Sequence, residues 1–216
     1  MGWFQFILSL VAFFAAHAIP VRPTVKAKLV RLLGQRGYSL IYSVVSFVIL
    51  TWVVLAAGRA PFVLLWGYAP WQKYVALTLM LVATWILSLG IARPNPLSFG
   101  GAQNDQFSKE HAGIVAWVRH PLLVAIGFWA FAHVVANGDL AHVVLFGLFA
   151  AFSLLGMRII DRRKRRLMGQ NWIEPGTLTR RITVTRSGVL RILIGLGFYL
   201  MLVSIHGPVI GVSPLP

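Results

Sequence analysis

The sequence has no cysteine, few acidic residues and little charge for its length. Its 216 residues include no Cys and only five Asp or Glu residues. The absence of cysteine excludes disulfides, thiolate metal sites, cysteine nucleophiles and covalently attached c-type haem. Charged residues make up 12% of the chain, whereas a soluble domain carries roughly 25%. A soluble globular fold is therefore not expected, and any haem would have to be held non-covalently.

Apolar blocks account for most of the chain, with hydrophobic residues at 58%. A block of roughly 17–25 apolar residues is long enough to cross a bilayer as a helix. We predict an all-α polytopic transmembrane bundle of six helices, forming a single domain over residues 1–216. The first span lacks a basic region before it, so we interpret it as a retained helix and not a removed signal peptide. The predicted spans are residues 3–19, 38–57, 71–92, 121–136, 140–160 and 189–206.

The positive charge predicts both the partner and the topology. The net charge is +15, but Lys and Arg lie between apolar blocks and not along one soluble face, so nucleic acid is not the expected partner. Alternate loops hold every basic residue except Arg59 and Lys73. The positive-inside rule then places those loops in the cytoplasm and both termini in the periplasm. We expect a multi-pass protein of the bacterial inner membrane, in contact with membrane lipids.

The basic loop predicted over residues 161–188 has two interpretations. One is a stop-transfer cluster followed by a loop on the lipid surface. The other is a binding surface for an anionic group, because its dense basic residues create a strong local potential.

Histidines are the residues inside the apolar spans that could carry chemistry. His17 and His133 fall within spans, whereas all five acidic residues lie in loops or at span ends. A buried histidine can simply form a hydrogen bond to a neighbouring helix, but neutral imidazole is also the commonest protein metal ligand. Haem suits an aromatic-rich bundle without cysteine. Trp129 lies one turn from His133, and alanines flank His17.

Helix geometry groups the histidines by depth. At 1.5 Å per residue, vertical helices would leave His17 and His133 about 20 Å apart along the membrane normal. Depth alone places His133 with His142 and His206 on the outer side, and His17 with His120 on the inner side. Strong tilt, or a fourth span that begins deep in the membrane, would bring His17 and His133 together.

The sequence Arg119-His120-Pro121 marks the start of the fourth span. Pro at the first helical position and Arg at the membrane boundary explain it as a helix start. The alternative is an anion site, in which the helix N-terminus, Arg119 and His120 bind a haem propionate or a cofactor carboxylate.

Several motifs in this order and spacing resemble the NnrU family over roughly residues 1–175. NnrU proteins are associated with denitrification, in nitrite and nitric oxide metabolism. The plant and cyanobacterial 15-cis-zeta-carotene isomerase, an integral membrane protein with b-type haem, is similar to this family. The motifs are His17 with Arg22-Pro23, Gly34–Tyr38, Gly113–Pro121, Trp129–His133, Asn137–Leu140 and Asp161–Arg163.

The resemblance implies a b-type haem between spans one and four. The haem ligands of the isomerase match His17 and His133 by motif, and Arg119 or Arg22 would neutralise a propionate. The implied role is redox or isomerase-like chemistry on a lipophilic small molecule, or support of nitric oxide metabolism. A cysteine implicated in ligand switching in the isomerase corresponds to Ala130 here, so that switch is not carried over. Whether the protein is an enzyme stays open.

Two alternatives stay open beside this one. The chain also resembles isoprenylcysteine carboxyl methyltransferases, which use S-adenosylmethionine and share the Arg119-His120-Pro121 start, a hairpin and a basic loop. Gly169 and Trp172 fit that pattern, and Glu174 is the available acidic residue. However, Leu122–Ala125 stands where those enzymes usually have Tyr and Gly. The third alternative is a non-catalytic assembly or transport factor.

Overall fold

A computed structural model describes residues 2–216 and confirms the all-α prediction. No β-strand occurs in that range, and the only bridge joins Leu64 to Asp139. Four of the six α-helices (α2, α3, α5 and α6) are long and apolar enough to cross a membrane, which indicates a membrane protein. The helices are α1 (Gly2–Ala18), α2 (Pro23–Gly58), α3 (Pro70–Gly90), α4 (Pro121–Ala136), α5 (Leu140–Met168) and α6 (Arg186–Ile210).

The chain forms two compact units. Of the described residues, unit 1 comprises residues 2–66 and 138–145, and unit 2 comprises residues 67–137 and 146–216. The first two turns of α5 therefore belong to unit 1, and the rest of that helix belongs to unit 2.

In unit 1, α1 packs against a second helix that is longer than predicted. Helix α2 begins at Pro23, far upstream of the predicted start at residue 38, because Pro suits the first helical position and an amphipathic stretch follows it. Gly34 breaks this helix with φ 69° and ψ 165°, a conformation that glycine adopts without steric cost. The predicted first loop is therefore mostly a short helix joined to the span at a glycine kink.

In unit 2, α3 packs against both α4 and α6. Helices α4 and α5 run antiparallel, since contacts pair Trp129 with Phe149 and Leu123 with Gly156. In unit 2, α4 and this part of α5 thus pack as an antiparallel pair.

Arg191 ties the start of α6 to the end of α3. Its Nη1 donates to the carbonyls of Ser88 (2.9 Å) and Ile91 (2.7 Å). The last carbonyls of a helix have no partner within that helix, and a cation stabilises the negative end of the helix dipole. Backbone carbonyls thus provide the hydrogen-bond acceptors for an arginine at the edge of an apolar span.

Residues 92–120 and 169–181 of unit 2 fold together into what we call the cap. Thr179 N donates to the carbonyl of Lys109 (3.0 Å), and Arg180 Nε donates to that of Ala116 (3.2 Å). Because α5 continues to Met168, the five basic residues from Arg162 to Arg166 lie on a helix and not in the predicted loop. The core of the cap consists of Leu97, Ala112, Val115, Ala116 and Leu178, with Met168 and Trp172 packed against it.

Candidate functional site

His17 lies in the last turn of α1, in unit 1. Its Nδ1–H donates to the carbonyl of Phe13 at 2.8 Å, and a carbonyl can only accept. The proton is therefore on Nδ1, and Nε2 carries the lone pair. The imidazole stacks on the Phe13 ring (4.2 Å between centroids) and meets the edge of Tyr42 (6.0 Å).

His133 repeats this arrangement in the last turn of α4, in unit 2. Its Nδ1–H donates to the carbonyl of Trp129 at 2.7 Å, so its Nε2 also carries the lone pair. The ring lies 4.6 Å from Phe146 and 5.2 Å from Trp129, measured between centroids. Metal-ligating histidines characteristically donate their second ring N–H to a carbonyl or carboxylate, which fixes the tautomer and the ring orientation.

His206 of α6 is the imidazole that unit 2 brings next to His133. The two ring centroids are 6.3 Å apart, which confirms the grouping of these two residues by depth. His206 Nδ1–H donates to the carbonyl of Val212 at 2.7 Å. The expected depth in the membrane was the only feature of the sequence that pointed to His206, since no family motif includes it.

His142 of α5 and His111 of the cap are engaged locally. His142 Nδ1 lies 2.7 Å from Asp139 Oδ2 at the start of α5. His111 lies beside Ser108 in the cap. Within residues 2–216, no group of three or more His, Cys, Asp or Glu side chains is placed to hold a metal ion.

A second polar cluster, which we call the clasp, joins three segments of unit 2. Asp161 of α5 accepts from Arg119 Nη2 at 2.6 Å and lies 2.9 Å from His120 Nε2. The other ring nitrogen of His120, Nδ1, lies 2.9 Å from Ser98 Oγ. Asn95 supports the clasp by donating from Nδ2 to the Arg119 carbonyl at 3.0 Å.

The protonation of His120 follows from its burial. Its side chain is only 2% exposed, and burial lowers the pKa of the imidazole, while the Asp161 carboxylate opposes that effect. The neutral ring donates from Nε2 to Asp161 and accepts at Nδ1 from the Ser98 hydroxyl. Arg119, His120, Ser98 and Asp161 thus each have a hydrogen-bond partner within the clasp.

The clasp has the residue types of a nucleophilic triad without its geometry. In a hydrolytic triad the serine meets Nε2 of the histidine and the aspartate meets Nδ1. Here Ser98 meets Nδ1 and Asp161 meets Nε2. Ser98 is also only 3% exposed, so its hydroxyl is sealed from a substrate. The arrangement fits a structural lock between α4, α5 and the cap.

The buried His120 predicts that the protein loses stability on acidification. The folded-state pKa is below the ordinary value, so the unfolded chain binds the proton first as pH falls. Stability is then present above about pH 6.5 and is lost as pH falls toward the folded pKa, by at most about 1.4 kcal/mol per pH unit. Thermal unfolding between pH 7.5 and 5 should show this slope in the wild type and a shallower one in His120→Gln. Equal slopes would contradict it.

The predicted site residues do not form one cluster. Arg22 is the exposed residue before α2 in unit 1. Trp129 lies beside His133, but Arg119 and His120 are at the opposite end of α4, about 20 Å away at 1.5 Å per residue. Arg119 is paired with Asp161, and binding of a propionate by Arg119 or Arg22 stays a prediction.

Comparison with known proteins gives a family match over most of the chain. The family model described as NnrU protein matches residues 5–214. No curated protein and no solved structure matches the chain. The family match extends beyond the motifs at residues 1–175 and includes α6, where His206 lies. The chain belongs to the NnrU family.

Proposed function

We propose that this NnrU protein binds b-type haem through His17 and His133. The haem would serve redox or isomerase-like chemistry on a lipophilic substrate, or nitrite and nitric oxide metabolism. One observation carries the proposal: each imidazole donates Nδ1–H to the carbonyl four residues earlier, at 2.8 Å from Phe13 and 2.7 Å from Trp129. Both rings are thereby held as the tautomer that ligates through Nε2.

The donor set fits haem better than a bare metal ion. The macrocycle supplies four nitrogens to iron, so two neutral imidazoles complete its coordination. A structural zinc ion takes about four protein ligands, and residues 2–216 hold no cluster of even three candidate side chains. The aromatic rings against His17 and His133 provide apolar surroundings of the kind that retain a non-covalent macrocycle.

The chain's own residues would orient the ligands and exclude water. The carbonyls of Phe13 and Trp129 hold a proton at Nδ1 of each histidine and make Nε2 a better donor to a metal. Phe13 and Phe146 lie against the two imidazoles and shield them. Bound haem would supply one-electron chemistry. Outward apolar side chains on the spans would let a lipophilic substrate approach through the bilayer.

The test is haemin titration of the purified protein in detergent. The wild type should bind one haem with the spectrum of a low-spin, six-coordinate ferric iron. His133→Asn keeps an N–H that can donate to the Trp129 carbonyl but removes Nε2. We expect it to turn the iron high-spin and to weaken haem affinity at least tenfold, about 1.4 kcal/mol. His111→Asn, the same change in the cap, is the matched control.

The same preparation separates the alternatives. A wild type that takes up no haemin would end the haem proposal. If S-adenosylmethionine instead raised the melting temperature, and Arg119→Ala abolished that shift, the methyltransferase alternative would take its place. The assembly-factor alternative would be favoured by two results together. Both His17→Ala and His133→Ala would retain the protein's role in the cell, and the protein would co-purify with a partner complex.

A further inference from the structure

We propose that the end of α5 binds the phosphate of an anionic phospholipid between Arg158, Arg162 and Arg165. These three arginines, together with Asp161, line a cavity of about 220 Å³. Their spacing of four and three residues places them on one face of the helix. All the lining residues belong to unit 2, and the inference does not depend on haem.

The cavity carries positive charge that the protein does not balance. Asp161 is the carboxylate that lines it, and its two oxygens already face Arg119 and His120. Among the residues that the structure describes, no salt bridge includes any of the three arginines. Like charges four residues apart on a helix destabilise it, so an anion bound between the arginines would relieve their repulsion.

The helix dipole accounts for one of the three arginines. It favours cations only near the last turn of a helix, and α5 ends at Met168 with Arg165 in its last turn. The Arg165 guanidinium also lies over the Trp172 ring of the cap, 5.3 Å from the ring centroid. Arg158 and Arg162 lie further from the helix end, so the dipole gives no reason for a cation at either position.

The depth of the three arginines matches that of lipid phosphates. The apolar span in α5 is predicted to end at residue 160. At 1.5 Å per residue along a vertical helix, Arg158 lies about 3 Å inside that boundary and Arg165 about 8 Å beyond it. The headgroup layer extends roughly 5–8 Å from each side of the hydrocarbon core. The cavity therefore spans the layer that contains the phosphates.

The same face of α5 continues into the bilayer as exposed leucines, which favours a lipid over a soluble anion. Leu154 and Leu155 lie four and three residues before Arg158, the spacing of neighbours on a helix surface. Leu148 lies two turns further into the span, and all three leucines are exposed. Acyl chains lying along them would bring the headgroup to the arginines. Basic pockets at the cytoplasmic ends of membrane helices bind anionic headgroups.

The experiment measures lipid binding to the delipidated full chain in a neutral detergent, by native mass spectrometry. The probes are phosphatidylglycerol, zwitterionic phosphatidylcholine, and glycerol phosphate, which carries a phosphate without acyl chains. The test variant combines Arg158→Gln, Arg162→Gln and Arg165→Gln. Glutamine has nearly the same helix propensity as arginine, so the helix should be retained.

The matched control replaces Arg163, Lys164 and Arg166 with glutamine, which removes three charges from the same helix outside the cavity. We expect the wild type to bind phosphatidylglycerol at least tenfold more tightly than phosphatidylcholine. The test variant should bind phosphatidylglycerol at least tenfold more weakly than the control, since each basic residue near an anionic surface contributes about fivefold. Arg158→Gln alone should weaken binding about fivefold.

Three results would overturn the inference. Equal affinity of the test and control variants would show that only the overall charge of α5 attracts lipid. Equal binding of the two lipids by the wild type would show that the headgroup charge is not recognised. Glycerol phosphate that binds as tightly as phosphatidylglycerol would assign the cavity to a soluble anion. Circular dichroism checks that each variant is folded, and Arg158→Gln alone provides the test if the triple variant is not.

Discussion

Asp161→Ala should lower the free energy of unfolding by about 2–4 kcal/mol. Asp161 accepts from Arg119 and faces His120, so its removal leaves a guanidinium and a buried ring N–H without their acceptor. Breaking a buried pair costs about 3–5 kcal/mol. Because Arg119 is 30% and Asp161 25% exposed, water recovers part of that cost.

Unfolding in mixed micelles measures this loss. Asp105→Ala is the matched control, because it removes the same side chain from an exposed position of the cap. Asp161→Asn retains an oxygen that can accept from His120, so it should recover part of the loss. Equal stability of Asp161→Ala and Asp105→Ala would show that the clasp does not hold unit 2 together.

The helices could be predicted from sequence because long apolar runs leave few other structures in a bilayer. The bounds of α4 are those predicted, since Pro121 starts it and Asn137-Gly138 follows it. The error at α2 also has a local cause. The charged residues after Pro23 led us to predict a loop, but they belong to an amphipathic helix. Gly34 separates this helix from the span that follows.

The clasp and the cap could not be predicted, because both depend on pairings remote in sequence. Ser98, His120 and Asp161 come from segments separated by 22 and 41 residues. Nothing at Ser98 itself distinguishes it from any loop serine. In contrast, the sequence could identify His17 and His133 as candidates, because each lies inside an apolar span and within a family motif.

Gly195→Val should force α3 and α6 apart and destabilise unit 2 by about 3 kcal/mol, the upper part of the usual range for overpacking. A Cβ at this position would lie 2.5 Å from Ser88 Oγ and 3.1 Å from the Thr84 carbonyl oxygen. The serine can rotate, but the carbonyl belongs to the backbone of α3 and cannot. Small residues at such crossings are what allow membrane helices to pack closely.

Gly197→Val is the matched control, since it lies two residues along the same helix and a Cβ there meets nothing within 4 Å. Both variants replace a glycine of α6 with valine, so both change the helix propensity equally. The difference between their free energies of unfolding therefore reports the contact with α3. The same displacement should weaken the bonds from Arg191 to Ser88 and Ile91, and Arg191→Met should then cost less in Gly195→Val than in the wild type. Unfolding of the four variants measures both effects, and equal stability of Gly195→Val and Gly197→Val would mean that α3 and α6 do not meet at Gly195.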